Sequence, residues 1–167
     1  MRTDAVEVLE TPVGPLTVAA SDTGLTHVMF GARRRPAAQA GPAALDLLDL
    51  ARAELTAYLA GTLRTFTVAP DLRRLTDEHR RILEALLAVG YGETITYGEL
   101  AVRAGLGPTG ARTVGTAMAR NPVGIVVPCH RVVGADGRLT GYAGGLAAKR
   151  WLLDLESRDR TPTLELW

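Results

Sequence analysis

The sequence predicts an α+β fold, in which a small N-terminal antiparallel sheet with one helix is followed by a mostly helical C-terminal half carrying a helix-turn-helix. Three observations lead there. Short runs rich in β-branched residues open the chain, separated by Pro12-Val13-Gly14 and Asp22-Thr23-Gly24. Apolar residues at helical spacing then take over. Finally, a strongly capped helix, a Gly-containing turn and a further helix follow one another between Thr96 and Arg120. A chain of 167 residues can build one sizeable core or two small ones. We expect two small lobes, residues 1–70 and 71–167.

Taken in order, Val6 to Glu10, Leu16 to Ala20 and Leu25 to Phe30 form an antiparallel meander that Gly31 closes. Ala43 to Leu59 reads as an amphipathic helix on that sheet, with Leu45, Leu48, Leu55 and Leu59 facing inward and Gly61 just past its end. Arg64 to Leu75, which contains Pro70, reads as a linker. A helix from Thr76 to Val89 opens the second half. Asp77 and Glu78 complement its N-terminal partial charge, Ile82, Leu83, Leu86 and Leu87 form its apolar face, and Gly90 stops it.

The next helix is the best specified of all. Thr96 and Glu99 have the spacing of a capping box, Ile95 and Leu100 that of a hydrophobic staple, and Gly105 ends the helix. After Leu106-Gly107-Pro108 a third helix is expected from Thr109 to Arg120, with Ala111, Val114 and Met118 inward and Arg112, Thr113, Thr116 and Arg120 on the opposite face. Asn121-Pro122 ends it. Val123 to Val127 then reads as a buried strand or extended segment aimed at Pro128-Cys129-His130-Arg131.

Composition narrows the function classes. The formal net charge of +1 is not that of a strong nucleic-acid binder, but its distribution is uneven. No acidic residue lies between Glu99 and Asp136, whereas Arg103, Arg112, Arg120 and Arg131 do, which defines a local basic surface. The plainer reading is a buried segment with a few solvated arginines. No apolar run approaches bilayer length and the start of the chain lacks a basic-then-apolar leader, so a soluble, cytoplasmic protein with no membrane association is expected. One cysteine cannot close an internal disulfide. The three histidines, His27, His79 and His130, have no zinc spacing, and neither a metal nor another cofactor is expected.

The single cysteine is where chemistry concentrates. A thiol becomes a useful nucleophile when an adjacent base takes its proton, and His130 is the neighbouring base. On a regular strand the two side chains would face opposite ways, so the backbone has to turn at Pro128 for them to meet. A lone cysteine among apolar residues is otherwise just a small buried hydrophobe. The loop Tyr142-Ala143-Gly144-Gly145 lacks the Lys-Ser/Thr of a phosphate-binding loop and reads as a pocket wall that glycine lets a ligand approach closely.

Thr96-Tyr97-Gly98-Glu99-Leu100-Ala101, Ala111-Arg112-Thr113-Val114-Gly115, Asn121-Pro122, Pro128-Cys129-His130-Arg131-Val132 and Tyr142-Ala143-Gly144-Gly145-Leu146 occur in that order, followed by Lys149, Trp151 and Glu156. This order resembles the O6-alkylguanine-DNA alkyltransferase family, also called methylated-DNA–protein-cysteine methyltransferases. The resemblance implies a ribonuclease H-like N-terminal lobe and irreversible, stoichiometric transfer of a methyl or small alkyl group to Cys129, from O6-alkylguanine or O4-alkylthymine in double-stranded DNA. It also implies residue roles. His130 acts as base through an ordered water, Glu156 orients His130, and Asn121 is the hinge between recognition helix and active-site loop. A monomer binds the minor groove through the helix-turn-helix, contacting DNA with Arg112, Thr113, Thr116 and Arg120. Arg112 fills the space vacated by the flipped nucleotide, Tyr97 drives the flipped phosphate and assists the leaving guanine, and Val132, Tyr142, Ala143 and Gly144 wall the alkylguanine pocket.

The pattern has departures. Ala143 stands where many relatives carry serine, Thr140 where several have glycine, and Gly124 where some have proline. Two rival classes are a binding module, either a helix-turn-helix regulator or a lesion-binding protein, and a cysteine hydrolase that would use Cys129 and His130 on an acyl bond. Lesion-binding proteins of the same general build lack the acceptor cysteine, and cysteine hydrolases usually place nucleophile and base far apart in sequence and need an oxyanion hole.

Overall fold

The computed structural model describes residues 4–33 and 39–158. The outer ends of the two expected lobes lie outside those residues. Strands β1 (Ala5–Leu9), β2 (Leu16–Ala20) and β3 (Leu25–Phe30) form an antiparallel sheet in the order β1-β2-β3. Glu7 faces Val18 across the first pair, and Val18 faces Val28 across the second. The central strand β2 is buried throughout, paired on both edges and packed against helix α1, Pro42–Leu59.

Helix α1 (Pro42–Leu59) lies across the sheet, with Pro at its first position where a missing N–H costs nothing. Its buried face is Ala44, Leu48, Ala51, Leu55, Tyr58 and Leu59. Leu45, expected inward, is 49% exposed. Ala44 takes the inner place because the small residue lets the helix sit close to the strands.

The Arg64–Leu75 segment is more than a linker. Leu25 N donates to Ala69 O at 2.9 Å and Asp71 N to Leu25 O at 2.7 Å, so the segment runs alongside β3. Buried Glu54 accepts from Thr67 N at 2.9 Å and Val68 N at 2.7 Å, while Asp71 accepts from Thr23 Oγ1 at 2.7 Å and Ser21 Oγ at 3.0 Å. Charge-assisted bonds of this kind are roughly twice as strong as neutral ones.

Helix α2 (Asp77–Leu87) starts at Thr76, whose hydroxyl accepts from His79 N. Ile82, Leu83 and Leu86 are buried, whereas Leu87, also expected inward, is 41% exposed at the helix end. Strand β4 (Ile95–Thr96) leads directly into helix α3 (Tyr97–Arg103). The capping box forms as expected, with Glu99 N donating to Thr96 Oγ1 at 3.1 Å and Thr96 N to Glu99 Oε2 at 3.3 Å. Helix α4 (Ala111–Ala119) packs on α3 and α2 through Val114, Ala117 and Met118. Ala111 is only partly covered. Strand β5 (Val132–Val133) pairs parallel to β4, and helix α5 (Leu146–Arg158) closes the described chain.

One apolar cluster runs from Leu16 and Leu55 through Leu83 and Leu100 to Val127, Cys129 and Leu152. Truncating any of these leucines to Ala would cost about 2–5 kcal/mol. The cysteine therefore borders a core to which both halves contribute.

Candidate active site

The apolar run before the cysteine, expected as a buried strand or extended segment, is buried but folds as a tight turn. Val123 bridges to Val28, Gly124 N donates to Val28 O at 3.0 Å, and Ile125 then takes a left-handed conformation with φ 68°. For a β-branched residue that conformation costs roughly 1–3 kcal/mol and needs strong local support. Asn121 supplies it. Its Oδ1 accepts from Val123 N at 3.0 Å and its Nδ2 donates to Val127 O at 2.9 Å, so one side chain brackets the turn in place of a partner strand. The chain leaves the turn at Pro128 and enters a single 3-10 turn, Cys129–Arg131.

That 3-10 turn separates three consecutive side chains. Cys129 borders a cavity of ≈ 450 Å³ that is also lined by Tyr97, Gly115, Met118, Ala119, Gly141, Tyr142 and Ala143. His130 points into the protein and is fully buried. Its Nε2 lies 2.9 Å from Glu156 Oε2, and its Nδ1 has no hydrogen-bond partner among the described residues. A carboxylate can only accept, so Nε2 carries the proton and Nδ1 presents the lone pair.

Arg131 also turns inward, contrary to the expected basic surface. It is 8% exposed, donating Nε to Glu156 Oε1 at 2.8 Å, Nη2 to Oε2 at 2.9 Å and Nη1 to Val89 O at 2.6 Å. The physical reason is the buried carboxylate, which needs a charged partner more than solvent does. Tyr58 on α1 donates its hydroxyl to Glu156 Oε2 at 2.5 Å, and Gly92 N donates to Oε1 at 3.1 Å. Glu156 is thus held from the N-terminal sheet-and-helix unit, from the loop after α2 and from the cysteine turn.

The electrostatics follow from these contacts. Burial works to raise the Glu156 pKa, but the hydrogen bonds and charges of His130 and Arg131 overcome it and hold the carboxyl well below the usual carboxylate range. Burial pushes His130 below its ordinary value, only partly offset by Glu156, so the resting imidazole is neutral. Burial likewise pushes the Cys129 thiol up, against a hydrogen bond from Asn121 and the charge of Lys149. The resting pair is a neutral thiol and a neutral base. Lys149 is itself nearly sealed and donates Nζ to Thr140 O at 3.2 Å, while Thr140 Oγ1 lies 2.6 Å from the Tyr97 hydroxyl.

The sequence-expected residues divide clearly. Cys129, Tyr97, Tyr142 and Ala143 meet around the cavity, while His130, next in the same 3-10 turn, pairs with Glu156 in the interior. Val132 is fully buried in β5 and Gly144 packs against Phe30, so neither lines the cavity. A Cβ on Gly144 would stand 2.6 Å from the Phe30 ring, which accounts for glycine there. Arg112 and Thr116 are exposed on α4, Arg120 is exposed at its C-cap, and Thr113 is half-buried beside them. Sequence reasoning misses Tyr58 and Phe30 altogether, takes Met118 only as core and places Arg131 only on a basic surface. Tyr58 had a signal, since a phenol on the apolar stripe of α1 needs a buried polar partner.

Among the described residues no helix is long and apolar enough to cross a membrane. Residues 77–158 match the family model described as 6-O-methylguanine DNA methyltransferase, DNA binding domain, and residues 6–72 match that of its ribonuclease-like domain. Methylated-DNA–protein-cysteine methyltransferase of Mycobacterium tuberculosis is 44% identical over 155 residues, covering 92% of each chain. The protein of that name from Methanosarcina acetivorans is 42% identical, over 89% of this chain and 96% of its own. The crystal structure of M. tuberculosis O6-methylguanine methyltransferase superposes with a TM-score of 0.80 at 42% identity, over 96% of both chains. A structure of the M. tuberculosis protein in complex with DNA gives the same TM-score at 43% identity, over 92% of this chain and 93% of that one. With both of its halves matched and its sole cysteine set against a buried histidine and glutamate, this chain belongs to the methylated-DNA–protein-cysteine methyltransferase family.

Proposed function

We propose that this protein repairs DNA by moving a methyl or small alkyl group from O6 of guanine, and from O4 of thymine, onto Cys129 Sγ in a single irreversible turnover. The observation that carries the reading is the chain's only cysteine at the edge of a cavity, backed by a buried histidine whose free ring nitrogen is a lone pair. The lesion carbon lies inside a paired duplex, so the nucleotide has to leave the stack before a thiol can reach it. Exposed Arg112 on α4 is the group to fill the gap, with Thr113, Thr116 and Arg120 on the phosphates of the minor groove. Residues 71–167 then act as the DNA-binding and acceptor lobe, and residues 1–70 support it.

The chemistry balances without a cofactor. The thiol proton passes to His130 Nδ1 through the water that family resemblance implies, and Glu156 stabilises the imidazolium that forms. Sγ attacks the alkyl carbon, the C–O6 bond breaks, and its electron pair leaves with guanine. The Tyr97 hydroxyl, held by Thr140, hydrogen-bonds the developing anion. Asn121 braces the turn that presents the thiol, and its amide offsets part of the burial that pushes the Cys129 thiol up. A thioether has no good leaving group, so each molecule acts once.

The test is intact-mass measurement after incubation with a duplex holding one O6-methylguanine. One methyl per molecule, mapped to Cys129, is expected. Repeated turnover or methylation elsewhere overturns the reading, and tight lesion binding with no mass change favours a lesion-binding module. A cytoplasmic monomer is the working form, and sedimentation with and without duplex checks the oligomeric part.

A further inference from the structure

We propose that Tyr58 is a positioning residue supplied by the N-terminal half, whose hydroxyl shares Glu156 Oε2 with His130 and thereby keeps the imidazole a neutral, proton-accepting base. The proposal rests on the relay of Cys129, His130 and Glu156 proposed above. Tyr58 is fully buried on α1, its hydroxyl 2.5 Å from Glu156 Oε2 and 3.4 Å from His130 Nε2. Its ring is fixed by Phe66 and Tyr91, with centroids at 5.2 Å and 6.1 Å.

Holding the carboxylate in place does not require this hydroxyl. Arg131 grips both oxygens and Gly92 N takes a further lone pair on Oε1, so the position of Glu156 is over-determined without it. What the hydroxyl changes is charge. A hydrogen bond to Oε2 draws electron density from the oxygen that accepts the His130 N–H, which weakens the pull of Glu156 toward an imidazolium. The phenol stays a donor at every working pH, because burial and the adjacent carboxylate push its own ionisation far up.

The groups facing this centre act in the same direction or leave the balance unchanged. Arg131 in the cysteine turn and Lys149 on α5 both disfavour a charged His130. Tyr91, from the loop after α2, carries Arg64 and Arg131 over its ring. Tyr142 and Cys129 are neutral at rest, because burial raises both. Glu156 is the single anion opposing them. Tyr58 therefore trims the one interaction that would protonate the base prematurely.

Two substitutions move the charge in opposite senses at nearly constant shape. Tyr58→Phe removes the donor, and a tyrosine fluorinated beside its hydroxyl, installed at position 58 by stop-codon suppression, strengthens it. The readouts are the pH dependence of methyl transfer from a methylated duplex and the NMR titration of the His130 ring. Tyr58→Phe should move the acid limb and the His130 titration to higher pH by about 0.5 to 1 unit, and the fluorinated protein should move both to lower pH. A structural role alone would scale the rate at every pH without moving either midpoint. That result, or profiles overlaying the parent, overturns the proposal. If Tyr58→Phe fails to fold, the fluorinated protein decides by itself. Glu156→Gln separates the two levels. If Glu156→Gln transfers methyl as fast as the parent, the relay fails, and if it is slow while the position-58 proteins overlay the parent, only the role of Tyr58 fails.

Discussion

Arg112 and Arg131 lie in the same acid-free stretch of sequence, yet one stands exposed on α4 and the other is sealed against Glu156. The two define the opposite sides of this molecule's working region. On the α4 side, charges sit in water, make no ion pair among the described residues and are available to phosphates. Behind the cysteine turn, charges are dry, saturated with hydrogen bonds and fixed in geometry. Residue type did not decide which arginine serves which side. The decision lies with a carboxylate 25 residues farther on, which was buried by its helix and had to be matched.

The sharpest test of that division removes the atom at the boundary. Cys129→Ser should abolish methyl transfer outright, because a serine hydroxyl at this site is a far weaker nucleophile, while duplex binding by the α4 face should change by no more than about 0.5 kcal/mol. A parallel loss of binding, measured by fluorescence anisotropy, would mean that the two sides are not separate. Next in size is Arg131→Met. It leaves a buried anion short of its charged partner and should cost about 3–5 kcal/mol of stability, whereas Arg112→Met should stay within about 0.5 kcal/mol in urea unfolding. Equal losses would erase the contrast.

Arg112→Ala sharpens the same comparison through function. If Arg112 fills the vacated stack as proposed, duplex repair should fall about tenfold to a hundredfold, equivalent to roughly 1–3 kcal/mol. Transfer from free O6-methylguanine should barely change, since there is no stack to fill. A variant that loses both activities equally while folded assigns Arg112 to the chemical site instead.

The two sides also answer to different solution variables. His130 and Glu156 both titrate lower in the folded protein than in the unfolded chain, so below those unfolded values the unfolded state binds more protons. Stability is therefore fully present above about pH 6.5, falls as His130 takes up its proton, and falls further below the ordinary carboxylate range. A urea midpoint that rises on acidification from pH 7 to pH 5 would contradict the buried relay. The smallest effect belongs to Arg120→Ala. Loss of one phosphate contact should reduce the logarithmic salt slope of duplex binding by about 0.9 without altering lesion preference.

Legibility in the sequence followed the range of the interactions. The capping box at Thr96 and Glu99 is local, and it appears in the fold as the spacing predicted. The three strands were equally readable from β-branched runs and the turn residues between them, with β1 displaced by one residue. Leu45 shows the limit of counting apolar residues, because the phase of α1 is set by what it packs on, and Ala44 fits against the sheet where leucine does not. Val123 to Val127 has strand composition, but Asn121 offers its backbone the hydrogen bonds that a neighbouring strand would give. Cys129 and His130 stood out as a nucleophile beside a base, whereas Tyr58 and Arg131 are tied to the site only by contacts across 98 and 25 residues. Such pairings carry no local signature.

The convergence of bonds on Glu156 has a consequence for the life of the chain before any lesion is met. Its five donors come from α1, the loop after α2 and the cysteine turn, so the carboxylate is complete only when the last helix has docked onto everything made before it. Until then His130 lacks the carboxylate that fixes its tautomer and would stabilise its imidazolium. Competence is thus licensed by assembly. On the relay proposed above, a chain whose last helix has not docked carries its cysteine without the oriented base that would activate it.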